Sequence, residues 1–272
     1  MLRDITLGQY YPGYSVVHKL DTRIKIILTF LYMISIFLVG DFIGYAIIFV
    51  CLAAVITISK VPARFILRGL KPVFIIIAFT FILNMLMTNG KVLFEWHFIR
   101  ITVEGIYNAL FMACRIIFLI VGSSLLTFTT KPVKMTDGIE SLLKPLVRFK
   151  VPAHELAMMM TIALRFIPTL LEETDKIMKA QMARGADFES GNLIKRAKNL
   201  IPLFIPLIVG AFRMAGDLAM AMEARCYRGG EGRTKLHSFK IRRRDIMAII
   251  LFLVYVAAIW LERIFHLQSL LF

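Results

Sequence analysis

Apolar runs at 24–40, 42–59, 72–88, 105–128 and 245–262 constrain this chain more than any other feature. Each approaches the roughly 20 residues a helix needs to cross a hydrocarbon layer of about 30 Å. Turn and charge signals separate them: Gly40-Asp41, Ser59-Lys60 and Thr88-Asn89-Gly90. With 58% of residues hydrophobic and a mean hydropathy of +0.74, lipid is the main solvent. The expected fold class is therefore all-α: a polytopic membrane protein of about five transmembrane helices plus a cytoplasmic module of three helices.

The formal net charge of +15 must then sit outside the bilayer, and its distribution sets an orientation. Lys19 and Arg23 precede the first run and Lys25 opens it, and Lys60, Arg64, Arg68 and Lys71 lie between the second and third. Residues 131–244 hold 21 of the 33 Lys and Arg, while the opposite side carries Lys91, Arg100 and Arg263. The positive-inside rule places the N-terminus in the cytoplasm and the C-terminus outside, as five crossings require. Three parts follow: an N-terminal membrane domain at 1–129, a cytoplasmic helical module at 130–244, and a C-terminal transmembrane helix at 245–272. Residues 1–23 mix charges with turn formers and do not read as a cleavable signal. Cys51, Cys114 and Cys226 form no C-x-x-C pair and read as small hydrophobes.

The segment 130–244 is long but neither low-complexity nor disordered in composition. Residues 132–149 read as a short amphipathic helix containing Pro145. Residues 152–184 read as a long helix opened by Pro152 and interrupted by Pro168, and 192–226 as a third helix bent by Pro202 and Pro206. Met158, Met159, Met160, Met178, Met182, Met214, Met220 and Met222 make these helices adaptable apolar surfaces. Packing and burial at the membrane interface would use such faces, and so would a contact with moving or varied partners.

Two local motifs stand at the ends of the long helices. Gln181-Met182-Ala183-Arg184-Gly185-Ala186 and Met222-Glu223-Ala224-Arg225-Cys226-Tyr227-Arg228-Gly229-Gly230 each end a helical run in Ala-Arg, with glycine at once or within four residues. Glycine suits the left-handed residue that closes a helix, and arginine complements the negative end of the dipole. Two ordinary helix ends would account for either motif alone. Two alike, 41 residues apart, also suit a pair of guanidinium tips for carboxylate-bearing grooves on a dimeric partner.

With these residues in view, the sequence resembles the transmembrane T component of energy-coupling factor transporters, the EcfT or CbiQ-like family. The resemblance rests on Gly8-Gln9-Tyr10-Tyr11-Pro12-Gly13-Tyr14-Ser15 with His18-Lys19-Leu20-Asp21-Thr22-Arg23, on Leu164-Arg165-Phe166-Ile167-Pro168, and on the two Ala-Arg motifs. The family usually has proline at the position of Thr22, and a small polar residue or glycine at that of Cys226. The resemblance implies a subunit coupling two cytoplasmic ABC-type ATPase subunits to a membrane substrate-binding (S) subunit. Uptake of a vitamin or a transition-metal ion across a prokaryotic cell membrane is the implied function. ATPase docking would fall on Ala183, Arg184, Gly185, Ala224, Arg225 and Cys226. The S-subunit contact would fall on Met158, Met159 and Leu207. No catalytic or metal-binding residue and no cofactor is expected on this chain, with ATP bound by the partner subunits.

The residues themselves fit that division of labour. The chain contains no G-x-x-x-x-G-K-[ST] phosphate loop, no H-E-x-x-H and no G-x-S-x-G. An intramembrane enzyme would need polar groups at matched depth, and Asn84, Ser123, Ser124 and Arg115 do not make a recognisable set. Arg115, the one clear charge within a span, reads first as a tie to another helix and second as an S-subunit contact. A pore-forming permease of a conventional ABC importer would show one coupling loop and more polar spans. Arg242-Arg243-Arg244 reads as a lipid headgroup anchor, but the 21 basic residues of 131–244 are offset by 11 acidic ones, which disfavours nucleic acid.

Overall fold

A computed structural model describes residues 10–96, 99–149, 152–188, 192–229 and 241–271. Nine helices and one hairpin lie among them. Helix α1 (Thr22–Leu38) starts where the Asp21 side chain accepts the Arg23 N–H at 3.0 Å, and α2 (Phe42–Ser59) ends on Lys60 in the left-handed region at φ 57°. Helix α3 (Ala63–Leu70) runs through a 3-10 turn at Lys71–Val73 into α4 (Phe74–Met87). Pro72, which has no N–H to donate, sits in that tightened turn.

Strands β1 (Val92–Trp96) and β2 (Ile99–Thr102) pair antiparallel between α4 and α5 (Val103–Thr129). Thr102 caps α5 by accepting the Gly105 N–H at 3.0 Å while its own hydroxyl donates to the Thr88 carbonyl at 2.8 Å. After α5 come α6 (Pro132–Leu143), a 3-10 turn at Lys144–Phe149, α7 (Ala153–Ala183), α8 (Leu193–Glu223) and α9 (Arg243–Leu271). The chain is all-α in class, with this hairpin as a small insertion that the sequence reading did not anticipate.

Six helical stretches are long and apolar enough to cross a membrane: Phe42–Ser59, Ala63–Met87, Val103–Thr129, Ala153–Ala183, Lys198–Glu223 and Arg243–Ile264. The expected count was five, and the difference has two sources. Helix α1 has 17 residues, about 25 Å at the helical rise, slightly under the hydrocarbon thickness. Helices α7 and α8 enter because each contains a stretch long and apolar enough, with few charged residues. Their basic flanks, which led the sequence reading, concern orientation and not length.

The described residues fall into two compact units, one drawn from Gly8–Gly138 with Ser238–Phe272, the other from Ile139–His237. The first has a core of Tyr32, Ile36, Val39, Tyr45, Ile48, Leu52, Phe111, Val121, Leu125, Phe128, Tyr255 and Ile259. Helices α1 and α5 meet there so closely that a Cβ at Gly122 would overlap the Tyr32 ring. The Tyr32 hydroxyl donates to the Phe118 carbonyl at 3.1 Å. Ser35 spends its hydroxyl proton on the Tyr32 carbonyl at 2.7 Å, so the Tyr255 hydroxyl donates to Ser35 Oγ at 2.9 Å. Outward from this core the surface is hydrocarbon: Phe74, Ile75, Phe79, Leu251, Val254 and Trp260 are all exposed, as lipid-facing residues should be.

Arg115 is tied to α2, as expected of a charge within a span. Its Nε donates to the Tyr45 hydroxyl at 3.1 Å, and one terminal nitrogen reaches the Val39 carbonyl at 3.5 Å. The guanidinium also lies 5.0 Å from the Phe111 ring centre, so π-faces take the place of a carboxylate.

A polar knot closes one end of this unit. The buried Lys25 amino group donates to the Thr129 carbonyl at 3.0 Å, Thr130 Oγ1 at 3.3 Å and the His18 carbonyl at 3.4 Å. The Asp245 carboxylate, 2% exposed, accepts the backbone N–H of Asp21 and of Arg242, both at 2.8 Å. His18 Nε2 faces the Tyr11 carbonyl at 3.1 Å and therefore carries the proton, leaving Nδ1 to accept from the Ser15 hydroxyl at 2.7 Å.

Candidate docking site at two helix ends

Within the unit 139–237, contacts fix how α7 and α8 run. The Gln181 side-chain amide donates to the Pro202 carbonyl at 3.4 Å, and Asn199 Nδ2 donates to the Asp187 carbonyl at 2.6 Å. Further along, Ile162, Arg165 and Phe166 of α7 line one cleft together with Met214, Asp217 and Leu218 of α8. Residue numbers fall on one helix as they rise on the other, so the pair is antiparallel. The Gln181 bond has a local cause: Pro206 has no N–H, which leaves the Pro202 carbonyl four residues earlier without its helical partner.

The two Ala-Arg motifs close their helices in the same register. On α7 the Gly185 N–H donates to the Met182 carbonyl and the Ala186 N–H to the Gln181 carbonyl, both at 3.0 Å, with Gly185 at φ 87°. On α8 the Cys226 N–H donates to the Glu223 carbonyl at 2.8 Å and the Tyr227 N–H to the Met222 carbonyl at 3.0 Å, with Cys226 at φ 54°. Each is the paired 5→2 and 6→1 closure of a Schellman motif. Arg184 and Arg225 thus hold the same cap position, the last residue before the left-handed turn. The sequence reading placed the second left-handed closure on a glycine. Gly229 does have φ 84°, but the cap itself falls on Cys226.

Ala183, Arg184, Gly185, Ala224, Arg225 and Cys226 are all exposed. A Cβ at Gly185 would meet nothing within 4 Å. Among the described residues neither guanidinium has an ion pair. Because the helices are antiparallel, Arg184 lies opposite residues near Asn199 and Arg225 lies some 26 residues further along α8 (225 − 199), roughly 40 Å away at the helical rise. The structure brings the two motifs to one antiparallel pair but to opposite ends of it.

Leu207 lies along the rods, whereas Met158 and Met159 lie in the first two turns of α7, at the end of the antiparallel pair that carries Arg225. Met159 is exposed, and Met158 and Leu207 are half-buried. Around Leu207, Ile205, Ile208, Val209 and Phe212 are exposed, so the middle of α8 carries a broad apolar face. Ala153, Ala157 and Leu203 are the fully buried hydrophobics among the described residues of this unit. The contacts of Gln181 with Pro202 and of Arg165 with the Asp217 side of the cleft were not read from the sequence, although Pro206 signals an unpaired carbonyl at Pro202. Of the opening segment, Gly8 and Gln9 lie outside the described residues, as does Gly230 of the second motif.

Comparison with known proteins decides the family. The CbiQ family, described as cobalt transport protein, matches residues 13–236. The chain belongs to the CbiQ family. It is 56% identical over 266 residues to the energy-coupling factor transporter transmembrane protein EcfT of Clostridium kluyveri, covering 97% of this chain and 98% of that one. The protein of the same description from Thermosediminibacter oceani is 58% identical over 249 residues, 92% of this chain and 94% of its own. That from Bacillus subtilis is 46% identical over 264 residues, 97% and 100% of the two chains. This CbiQ-family chain is thus a multi-pass membrane protein of the energy-coupling factor transporter class. Its relatives are named as transporter components, not as enzymes.

Proposed function

We propose that this chain is the coupling subunit of an energy-coupling factor importer. Arg184 and Arg225 each enter a groove of one cytoplasmic ATPase subunit, and the apolar face of α7 and α8 bears on a membrane S subunit that captures a vitamin or a transition-metal ion. The N-terminus and the two arginine tips lie on the cytoplasmic side and the C-terminus outside, in a prokaryotic cell membrane. ATP is bound and hydrolysed by the partners, and this chain carries their motion.

One observation supports the reading above the others: two outward guanidiniums in identical caps at opposite ends of an antiparallel pair. A stiff helix transmits displacement along its length, and a rigid planar cation on its tip forms a bidentate pair with a carboxylate. Truncating one side of such a pair costs about 2–5 kcal/mol. The double variant Arg184→Ala/Arg225→Ala should insert normally and retain less than about a tenth of the co-purifying ATPase. Undiminished ATPase recovery and transport in that variant would refute the mechanism.

A further inference from the structure

In the unit 8–138 with 238–272, helices α1, α2, α5 and α9 leave a crevice of about 520 Å³ among them, within the size range of small-molecule sites. Leu28, Leu52, Val55, Leu126, Leu251 and Phe252 supply hydrocarbon walls. Its charged lining consists of Lys25 and Arg244, with no carboxylate. Both cations sit at the end closed by the polar knot, since Asp245 joins Asp21 there and Lys25 joins Thr129.

The two cations differ in what they can offer. Lys25 is 6% exposed and directs its amino group to three oxygens of the chain itself, so it contributes charge but no free donor. Arg244 is exposed and has no ion pair among the described residues. Its neighbour Asp245 turns both carboxylate oxygens to the backbone N–H groups of Asp21 and Arg242, and makes no ion pair with Arg244 among the described residues. Arg242 and Arg243, also exposed, add to the positive potential at this end.

An apolar slot with a free guanidinium at one end is complementary to an anionic head on a long hydrocarbon tail. In a bilayer the molecule of that chemistry is an anionic phospholipid. We propose that the crevice holds an acyl chain of one anionic phospholipid whose phosphate pairs with Arg244. The lipid would wedge α1 and α2 against α9 beside the polar knot. It requires α1, α2, α5 and α9 to lie in a bilayer and is independent of any ATPase contact.

The test uses the full-length chain, purified in detergent with whatever subunits accompany it and stripped of lipid. Dioleoyl phosphatidylglycerol, dioleoyl phosphatidylcholine and inorganic phosphate are titrated separately, with retained lipid counted by native mass spectrometry and stability followed by thermal denaturation. Retention of one phosphatidylglycerol and a stability gain, with phosphatidylcholine and phosphate inactive, supports the site. Arg244→Gln, at an exposed side chain, should weaken phosphatidylglycerol retention about five-fold, the loss expected for one basic residue at an anionic surface. Ala248→Trp, which fills the crevice, should abolish retention. Equal retention of both lipids, an equal effect of phosphate alone, or unchanged binding by Arg244→Gln would overturn the proposal.

Discussion

The carboxylate of Asp245 accepts the backbone N–H of Asp21 at 2.8 Å across 224 residues of sequence, joining the start of α9 to the start of α1. Its second oxygen holds the Arg242 N–H at the same distance. Asp245→Ala would strand two N–H groups in a buried place, each costing about 1–3 kcal/mol. The variant should lose roughly 2–5 kcal/mol, read as lower thermal stability in detergent, and Asp245→Asn, which keeps one acceptor oxygen, should lose less. Equal stability of Asp245→Ala and wild type would show that the knot does not hold the helices together.

His18 predicts a pH dependence. Partial burial, and then the nearby Lys25 charge, lower its pKa below the ordinary value near 6.5, against an opposing bond to the Tyr11 carbonyl. The unfolded chain therefore takes up this proton first as pH falls. The His18 contribution is complete above pH ~6.5 and declines as pH drops from there towards the lower folded value. His18→Gln should flatten that part of a stability–pH curve, and an unchanged slope would count against the assignment.

Cys226 occupies a left-handed position at φ 54°, where Gly185 stands in the matching cap. A side chain there costs about 1–2 kcal/mol, partly offset by the flexibility glycine brings to the unfolded chain. Cys226→Gly should steady the end of α8 by about 0.5–1 kcal/mol, seen as slower amide exchange at residues 226 and 227. Gly185→Ala should act in the opposite sense on α7.

Polar substitutions on the rods separate the two proposed partners. Met158→Gln, Met159→Gln or Leu207→Gln should weaken recovery of the S subunit several-fold while leaving ATPase recovery near wild type, because Arg184 and Arg225 are both kept. Loss of both partners together would mean that these side chains only hold α7 against α8.

Much of the fold was legible because lipid leaves a strong signal in sequence. The run at 42–59 coincides with α2, those at 24–40 and 105–128 lie within about two residues of α1 and α5, and 245–262 falls inside α9. The run at 72–88 matches α4 to within two residues, but α3 before it went unread because Arg64, Arg68 and Lys71 interrupt the apolar pattern. Such residues ride on a helix whose opposite face is apolar: Ile66 is buried while Arg64 and Arg68 are exposed. The hairpin at Val92–Thr102 was missed because its strands of 5 and 4 residues are too short to show a period. At the candidate site the two arginines at helix ends and the closure at Gly185 were readable from local residue order, whereas the closure on Cys226 was not, because the left-handed turn normally calls for glycine. The antiparallel course of α7 and α8 was not, because it depends on contacts between residues distant in sequence, such as Gln181 with Pro202.

Running in opposite directions, α7 and α8 give a single polypeptide an approximate two-fold axis through the middle of the pair. A half-turn about it carries Arg184 onto Arg225. Two copies of one partner can therefore grip the chain in equivalent ways although it has no second copy of itself. The symmetry is broken next to the handles, where one cap carries only the hydrogen of Gly185 and the other the thiol-bearing side chain of Cys226.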